Sequence, residues 1–405
     1  MQFRNDVIRE RRRRAFPLGA SVALEELESD PYPLFEKLRS SEPVTWCDTL
    51  NSWLVTTREL ALAVARDPET FTVDHSRMSV RGILGTNMLT VDGDEHRRHR
   101  RPFAGPFRLA TIRREFEAYL TQTVDALLDD CSRSGSAELR SGMAGPLAVR
   151  TVARALGLPA ADIAAVLEWY DAFANGMTTL TTTGVVPPES VQAFDAFRQV
   201  VQGHLATSAP GAPSLLLQVV RGRESELNPE ELVSNAAVIM FGGIETTESL
   251  ILNAVWLLLT HEDQLQRLLR ERGLLDNAVE EALRMEAAVA SFERFATRGV
   301  ELAGVRIEAG DAVTLLAGAA NRDPAFYPDP DRFDIARHNA KHNIAFAAGP
   351  HVCLGMHLAR FEARIAVGAL LDRFPRVRIN AARSVPPRGL FFRKPPMLTA
   401  VFDTQ

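Results

Sequence analysis

Cysteine is scarce in this chain: three occur in 405 residues, at Cys47, Cys131 and Cys353. Three thiols cannot all pair, and the number is low for a disulfide-stapled scaffold, so a reducing, cytoplasmic setting is expected. No apolar run reaches the roughly 18 residues of a membrane helix, so no membrane anchor is expected. Arg9 and Arg11 to Arg14 precede an apolar stretch, Ala15 to Leu24, that superficially imitates a signal peptide. Pro17 and Gly19 interrupt it, however, and Glu25-Glu26 end it without an Ala-x-Ala site. Residues 1–24 are therefore expected to be a flexible, solvated basic tail. Gly/Ser linkers, charge blocks and internal repeats are also missing, which makes residues 25–405 one domain, with a monomer as the default. A formal charge of −5 is no signature of nucleic-acid binding.

What is present is helical periodicity, with 46% hydrophobic residues to build a core. Amphipathic stretches cover Pro33–Ser40, Thr111–Ser132, Leu147–Leu156, Ala160–Ala174, Pro188–Ala206, Pro229–Thr260 and His261–Glu271. A hairpin is expected from Val44–Cys47 and Ser52–Thr56, and a second β region from Val300–Leu302, Val305–Glu308 and Ala312–Ala317. Residues 321–344 read as a long meander. The expected class is mainly α with small peripheral β-sheets.

Phe346-Ala-Ala-Gly349-Pro-His351-Val-Cys353-Leu-Gly355 places one cysteine in a glycine-bearing loop before a strong helix, Leu354–Asp372. The free N–H groups and partial positive charge of a helix start favour thiolate over thiol. Thiolate is a soft ligand suited to iron, and Gly349 and Gly355 let backbone approach a flat cofactor closely. Taken alone, a buried structural cysteine would be the commoner explanation. The segment continues as His357-Leu-Ala-Arg360-Phe-Glu362, and as a whole it resembles the haem-binding loop of the cytochrome P450 family. Four further motifs follow that family's order, so the resemblance runs from about Asp30 to Phe402. It implies the P450 fold, with a long central helix over haem b, Cys353 as the axial ligand, and Phe346 and Gly355 beside the cofactor. One departure is visible: Ala347 stands where the family loop usually has glycine, and a slightly re-aimed loop is expected.

Asn228-Pro-Glu-Glu231 is a strong helix start: a cap, a first-turn proline and two acids against the dipole. Mid-helix glycines cost about 1 kcal/mol each relative to alanine, yet Gly242 and Gly243 sit together near the centre of this helix. Close helix packing would explain them equally well on their own. With Glu245-Thr246-Thr247, they resemble the family's oxygen-activation motif, an acid and an alcohol beside a local helix distortion. The resemblance implies that Gly242 and Gly243 leave room for a diatomic ligand. It makes Thr246 a hydrogen-bond donor to the oxygen being activated, and Glu245 a link to solvent protons. Thr247 is expected to bond a backbone carbonyl one turn back.

Glu281 and Arg284 lie one turn apart on a helix, and an isolated pair of this kind is usually a weak surface ion pair. The resemblance instead implies a buried structural network with a third arginine, Arg332 or Arg337. His96 and Arg100 share a helix face and look like the family's propionate-binding helix, with Arg294 and His351 matching two further propionate partners. Charge-assisted bonds from these four suit two carboxylates. Zinc is disfavoured, because no third histidine or cysteine has suitable spacing. Arg97, Arg98, Arg101, Arg113, Arg114, Arg360 and Arg364 suggest a positive face for an acidic ferredoxin or flavodoxin fed by an NAD(P)H-dependent reductase; a generic solvated surface explains each arginine equally well.

The family's pocket regions correspond here to Ile83, Leu84, Met88, Phe173, Met177, Met240, Gly242, Val289, Phe292 and Phe391, and 178–184 reads as a mobile lid loop. An apolar or amphiphilic small molecule is the expected substrate. The resemblance implies a monooxygenase that uses O2 to hydroxylate or epoxidise it, in bacterial secondary metabolism or catabolism. A haem-thiolate enzyme of oxidative coupling or peroxide-driven oxidation is the alternative, and a non-catalytic haem sensor a third reading.

Overall fold

The computed structural model describes residues 2–133, 135–158, 163–208, 214–222 and 226–402. They form two compact units: Met1–Thr72, Leu252–Cys353 and Ile379–Leu398 in the first, and Val73–Ile251, Leu354–Arg378 and Thr399–Gln405 in the second. Each unit is assembled from separated stretches of chain, so no composition boundary marks either one.

The first unit begins with α1 (Gln2–Ala15), α2 (Pro17–Ala20), α3 (Leu24–Glu28) and α4 (Tyr32–Ser41). This overturns the expected loose tail. Arg12 pairs with Asp311 at 2.5 Å and lies over the rings of Trp46 (4.2 Å) and Trp53 (5.1 Å), while Arg13 bonds Asp48. Stacking a guanidinium on indole contributes about 0.5–2 kcal/mol, and a basic run supplies it only where acids and tryptophans wait on a neighbouring element.

The expected hairpin forms as β1 (Val44–Cys47) and β2 (Ser52–Val55), antiparallel, with Asn51 at φ 48° in the turn. After α5 (Arg58–Arg66) and β3 (Phe71–Thr72) the unit resumes with α14 (Glu262–Arg270), α15 (Leu275–Met285), β5 (Ser291–Ala296), β6 (Val300–Leu302), β7 (Val305–Ile307), β8 (Ala312–Leu316) and α16 (Ala317–Ala320). The main sheet has the order β1-β2-β8-β5-β3, with β2 and β8 parallel. Sequence patterning missed β5, because Glu293-Arg294 breaks its apolar run. Phe35, Leu38, Cys47, Leu54, Leu316 and Ala319 close a core beside the sheet.

The second unit contains α6 (Ser79–Leu84), α7 (Gly93–Ala104), α8 (Leu109–Ser132), β4 (Ser136–Glu138), α9 (Gly145–Leu156), α10 (Ile163–Thr183), α11 (Pro188–Thr207), α12 (Leu215–Arg221) and α17 (Met356–Arg373). Strands β9 (Arg378–Ile379) and β10 (Thr399–Val401) join β4 in a small sheet. The first residues of the expected 160–174 helix lie outside the described residues; the rest belongs to α10. The expected lid at 178–184 is instead the last turns of α10. Its threonine hydroxyls bond backward to the chain, Thr181 to Met177 O (2.8 Å) and Thr182 to Thr178 O (2.9 Å). Back-bonding of this kind satisfies the hydroxyl at a carbonyl the ladder already uses, so threonine sits in the helix at a small cost.

The helix α13 (Pro229–Thr260) contributes to both units. Its start is a reciprocal capping box: Asn228 Oδ1 accepts from the Glu231 N–H and Glu231 Oε2 from the Asn228 N–H, both at 2.9 Å. By length and composition α13 could cross a membrane, although polar residues interrupt its apolar run. Of its most apolar window 67% is buried inside the protein, so it is a core helix.

Candidate functional site

The cysteine loop is held by its own backbone. The Cys353 N–H donates to Phe346 O (2.9 Å), Ala347 N–H to Ile344 O (2.9 Å) and Val352 N–H to Gly349 O (3.2 Å). Gly349 has φ 72°, and a Cβ there would stand 2.4 Å from the Ala65 carbonyl oxygen, so only glycine lets the loop rest on the end of α5. Ala347 corrects the expectation of a re-aimed loop: it keeps a left-handed φ of 59° despite its Cβ. Gly355 caps α17, its carbonyl accepting the Ala359 N–H at 3.0 Å. Cys47 and Cys131 are buried, and burial pushes both thiols up; Cys353 alone is exposed. A soft donor displayed at a helix start, on a loop that glycine allows to lie flat, fits the thiolate ligand of haem iron.

In the same unit, Glu281 and Arg284 on α15 are fully buried, and the ambiguity over their third partner resolves to Arg337. Arg284 Nε and Nη2 donate to Glu281 at 2.7 and 2.8 Å, and Arg337 Nε donates to Glu281 Oε1 at 3.0 Å. Arg332 takes part only through its carbonyl, which accepts from both guanidinium groups. Every charge has several partners, as a buried ionic group requires.

On α13 the two central glycines have different jobs. A Cβ on Gly243 would stand 2.7 Å from Val152 Cγ2 on α9, whereas one on Gly242 would meet nothing within 4 Å. Helix packing therefore accounts for Gly243, and an open helix face for Gly242. The helix runs unbroken through this stretch. It is the Thr246 hydroxyl that bonds back to a carbonyl, donating to Gly242 O at 2.5 Å; the expectation assigned that bond to Thr247. Glu245 accepts a hydrogen bond from the Tyr170 hydroxyl on α10, and Tyr170 stacks on Phe241 at 5.5 Å. Burial, then the Glu245 charge, drives the Tyr170 phenol far above its ordinary range, so it remains a donor. Sequence reasoning missed Tyr170, because nothing local links positions 170 and 245.

Of the expected propionate partners, His96 and Arg100 lie on α7 and Arg294 on β5, while His351 sits in the cysteine loop; His96, Arg294 and His351 are buried. Among the described residues, one group has metal-ligand geometry, Glu95, His99 and Glu231. Arg98 fills its centre, 2.6 Å from Glu95 and 2.5 Å from Glu231, and holds the Glu231 carboxyl down at about 2. The cluster is a salt-bridge network and not a zinc site. Arg97, Arg101 and Arg114 likewise pair with Asp94, Glu226 and Glu115, which neutralises much of the expected positive face.

The expected pocket residues fall in two sets. Ile83, Leu84, Met88, Phe173, Met177 and Met240 are buried in the second unit; α6 packs on α10, where Ile83 Cδ1 would stand 3.1 Å from a Cβ at Gly176. Phe173 is turned into an aromatic cluster with Phe194 and Phe197, which gives it a core role. In the first unit, Val289 bridges to Phe392 and Phe292 pairs with Leu315, while Phe391 is 53% exposed. One buried acid escaped notice: Glu362 on α17 is 2% exposed, Oε1 lacks a hydrogen-bond partner, and burial pushes its carboxyl up to about 8.

Residues 191–395 match the family described as Cytochrome P450. The chain is 36% identical to cytochrome P450 monooxygenase PikC of Streptomyces venezuelae over 92% of its own length and 90% of that protein's. It is 33% identical to the biotin biosynthesis cytochrome P450 of Bacillus subtilis (strain 168), covering 89% and 93%. In structure it is similar to P450BioI, solved in complex with hexadec-9Z-enoic acid ligated acyl carrier protein. The TM-score is 0.83 at 30% identity, covering 94% of this chain and 100% of that one. With such identity sustained along nine tenths of both partners, the chain belongs to the cytochrome P450 family, monooxygenases that bind haem b through a cysteine thiolate.

Proposed function

We propose that Cys353 is the thiolate ligand of haem b, that Phe346 and Gly355 flank the cofactor, and that His96, Arg100, Arg294 and His351 hold its propionates. When bound, haem would supply the site at which O2 takes two electrons from the redox partner, two from the substrate and two protons, one oxygen entering an apolar or amphiphilic small molecule and the other leaving as water. Glu245 and Thr246 manage the protons. The observation that carries this reading is a carboxylate and an alcohol, adjacent on an otherwise apolar helix, beside the open face at Gly242. Thr246 holds its hydroxyl proton at the Gly242 carbonyl and can turn it outward. Glu245, steadied by Tyr170, exchanges protons with solvent. A peroxide-driven enzyme or a sensor has no use for such a pair.

The chain's substrate is hydroxylated or epoxidised, in secondary metabolism or catabolism, and its electrons come from a ferredoxin or flavodoxin with an NAD(P)H-dependent reductase. We read the protein as cytoplasmic and monomeric. A carrier-tethered substrate is the second reading, favoured by the likeness to P450BioI with its acyl carrier protein. The test is NAD(P)H consumption with a surrogate ferredoxin and reductase, across macrolides, terpenes, steroids and fatty acids, each free or carrier-linked. Product matched to cofactor consumption supports a monooxygenase; turnover with peroxide alone would overturn it.

A further inference from the structure

His99, Asn235 and Met88 are buried and joined by hydrogen bonds whose directions are forced. The Met88 backbone N–H can only donate, and it points at Asn235 Oδ1 at 2.9 Å. That fixes the amide, so Nδ2 faces the other way, donating to Glu231 O (2.7 Å) and to His99 Nδ1 (2.8 Å). His99 Nδ1 must therefore carry a lone pair, and the ring proton sits on Nε2, 3.4 Å from Glu95 Oε1 and beside Arg98 Nη2 at 3.3 Å. His99 and Asn235 are both 0% exposed. Such a buried donor–acceptor pattern is costly to leave unsatisfied.

The loop that Met88 belongs to is otherwise wired to itself. Asn87 Nδ2 donates to Gly85 O (2.9 Å), the Leu89 N–H to Asn87 Oδ1 (2.9 Å) and the Thr90 N–H to Asn87 O (3.0 Å). A loop closed in this way moves as one body, and its register on α13 rests on the Met88–Asn235 bond and on the close approach of Gly85 to Ser234.

We propose that Asn235, oriented by His99, is a positioning residue that seats the 85–90 loop on α13 and so sets the substrate wall at Met88. This rests on the reading of Met88 as part of the pocket. The experiment is amide hydrogen exchange on the haem-loaded enzyme, for wild type, Asn235→Ala and Asn235→Asp. Asn235→Ala should raise exchange at Met88 about tenfold, without matching change in α8. Asn235→Asp keeps an acceptor for the Met88 N–H, and His99 can carry its ring proton on Nδ1 to meet the second carboxylate oxygen, so protection at Met88 should largely return although the bond to Glu231 O is lost. Unchanged exchange at Met88 in Asn235→Ala, equal loss in both variants, or loss spread evenly through α8 would each overturn the proposal. Affinity for 4-phenylimidazole, which coordinates the iron and fills the pocket, should fall about tenfold in Asn235→Ala. If exchange rises while that affinity holds, the pocket reading of Met88 fails and the seating of the loop stands.

Discussion

The Tyr170 hydroxyl donates to Glu245 Oε2 and so ties α10 to the acid at the centre of α13. Tyr170→Phe removes the donor but keeps the ring stacked on Phe241. It should lower the rate of product formation about threefold to tenfold and enlarge the solvent isotope effect, with substrate affinity little changed. An unaltered isotope effect would detach Tyr170 from proton handling.

Thr246→Ala deletes the hydroxyl now bonded to Gly242 O. The variant should still bind substrate but divert reducing equivalents to peroxide, measured as NAD(P)H consumed against product formed. Full coupling would remove Thr246 from the mechanism.

Cys353→Ala should abolish the thiolate-type spectrum of the reduced carbonyl complex, since neither buried cysteine can substitute. Persistence of that spectrum would refute the ligand assignment.

Ala347 holds a left-handed backbone that costs a non-glycine residue about 1–2 kcal/mol. Ala347→Gly relieves this strain at some cost in chain entropy, and should raise stability by about 0.5–1 kcal/mol in denaturant melts. A loss of stability would mean that the alanine methyl makes compensating contacts.

Glu362 has its carboxyl raised by burial from 4.5 to about 8. Between those values the folded state binds more protons than the unfolded, so stability falls as pH rises through this window and levels off above it. Glu362→Gln keeps the neutral shape without the titration. Thermal melts should show the variant gaining on wild type between pH 5.5 and 8, by about 3 kcal/mol at the upper end. Parallel pH profiles would show that the carboxyl is ionised when folded.

Local chemistry is what a sequence exposes most directly. The helix cap at Asn228 and the hairpin turning at Asn51 each depend on residues a few positions apart, and both were legible; the need for glycine at 349 was not, because it is set by the distant Ala65 carbonyl. The pairing of cysteine loop and helix start was legible too, because Gly355 and α17 follow Cys353 within the same turn of chain. The same reasoning failed where a partner is distant. Nothing near Arg12 announces Asp311 or the tryptophans that hold α1, and a threonine-rich run looks like a loop until its hydroxyls are seen bonding back along α10.

The helices α13 and α17 follow from residue type and spacing, whereas the roles proposed for Cys353, Glu245 and Thr246 rest on the resemblance to the cytochrome P450 family. The selection of Arg337 over Arg332, the parallel pairing of β2 with β8, the burial of Glu362 and the Met88–Asn235–His99 bridge required the fold. The physical reason is the same in each case: a side chain's protonation state and partner depend on what stands within about 3 Å of it, and packing sets that neighbourhood across separations that no local pattern encodes.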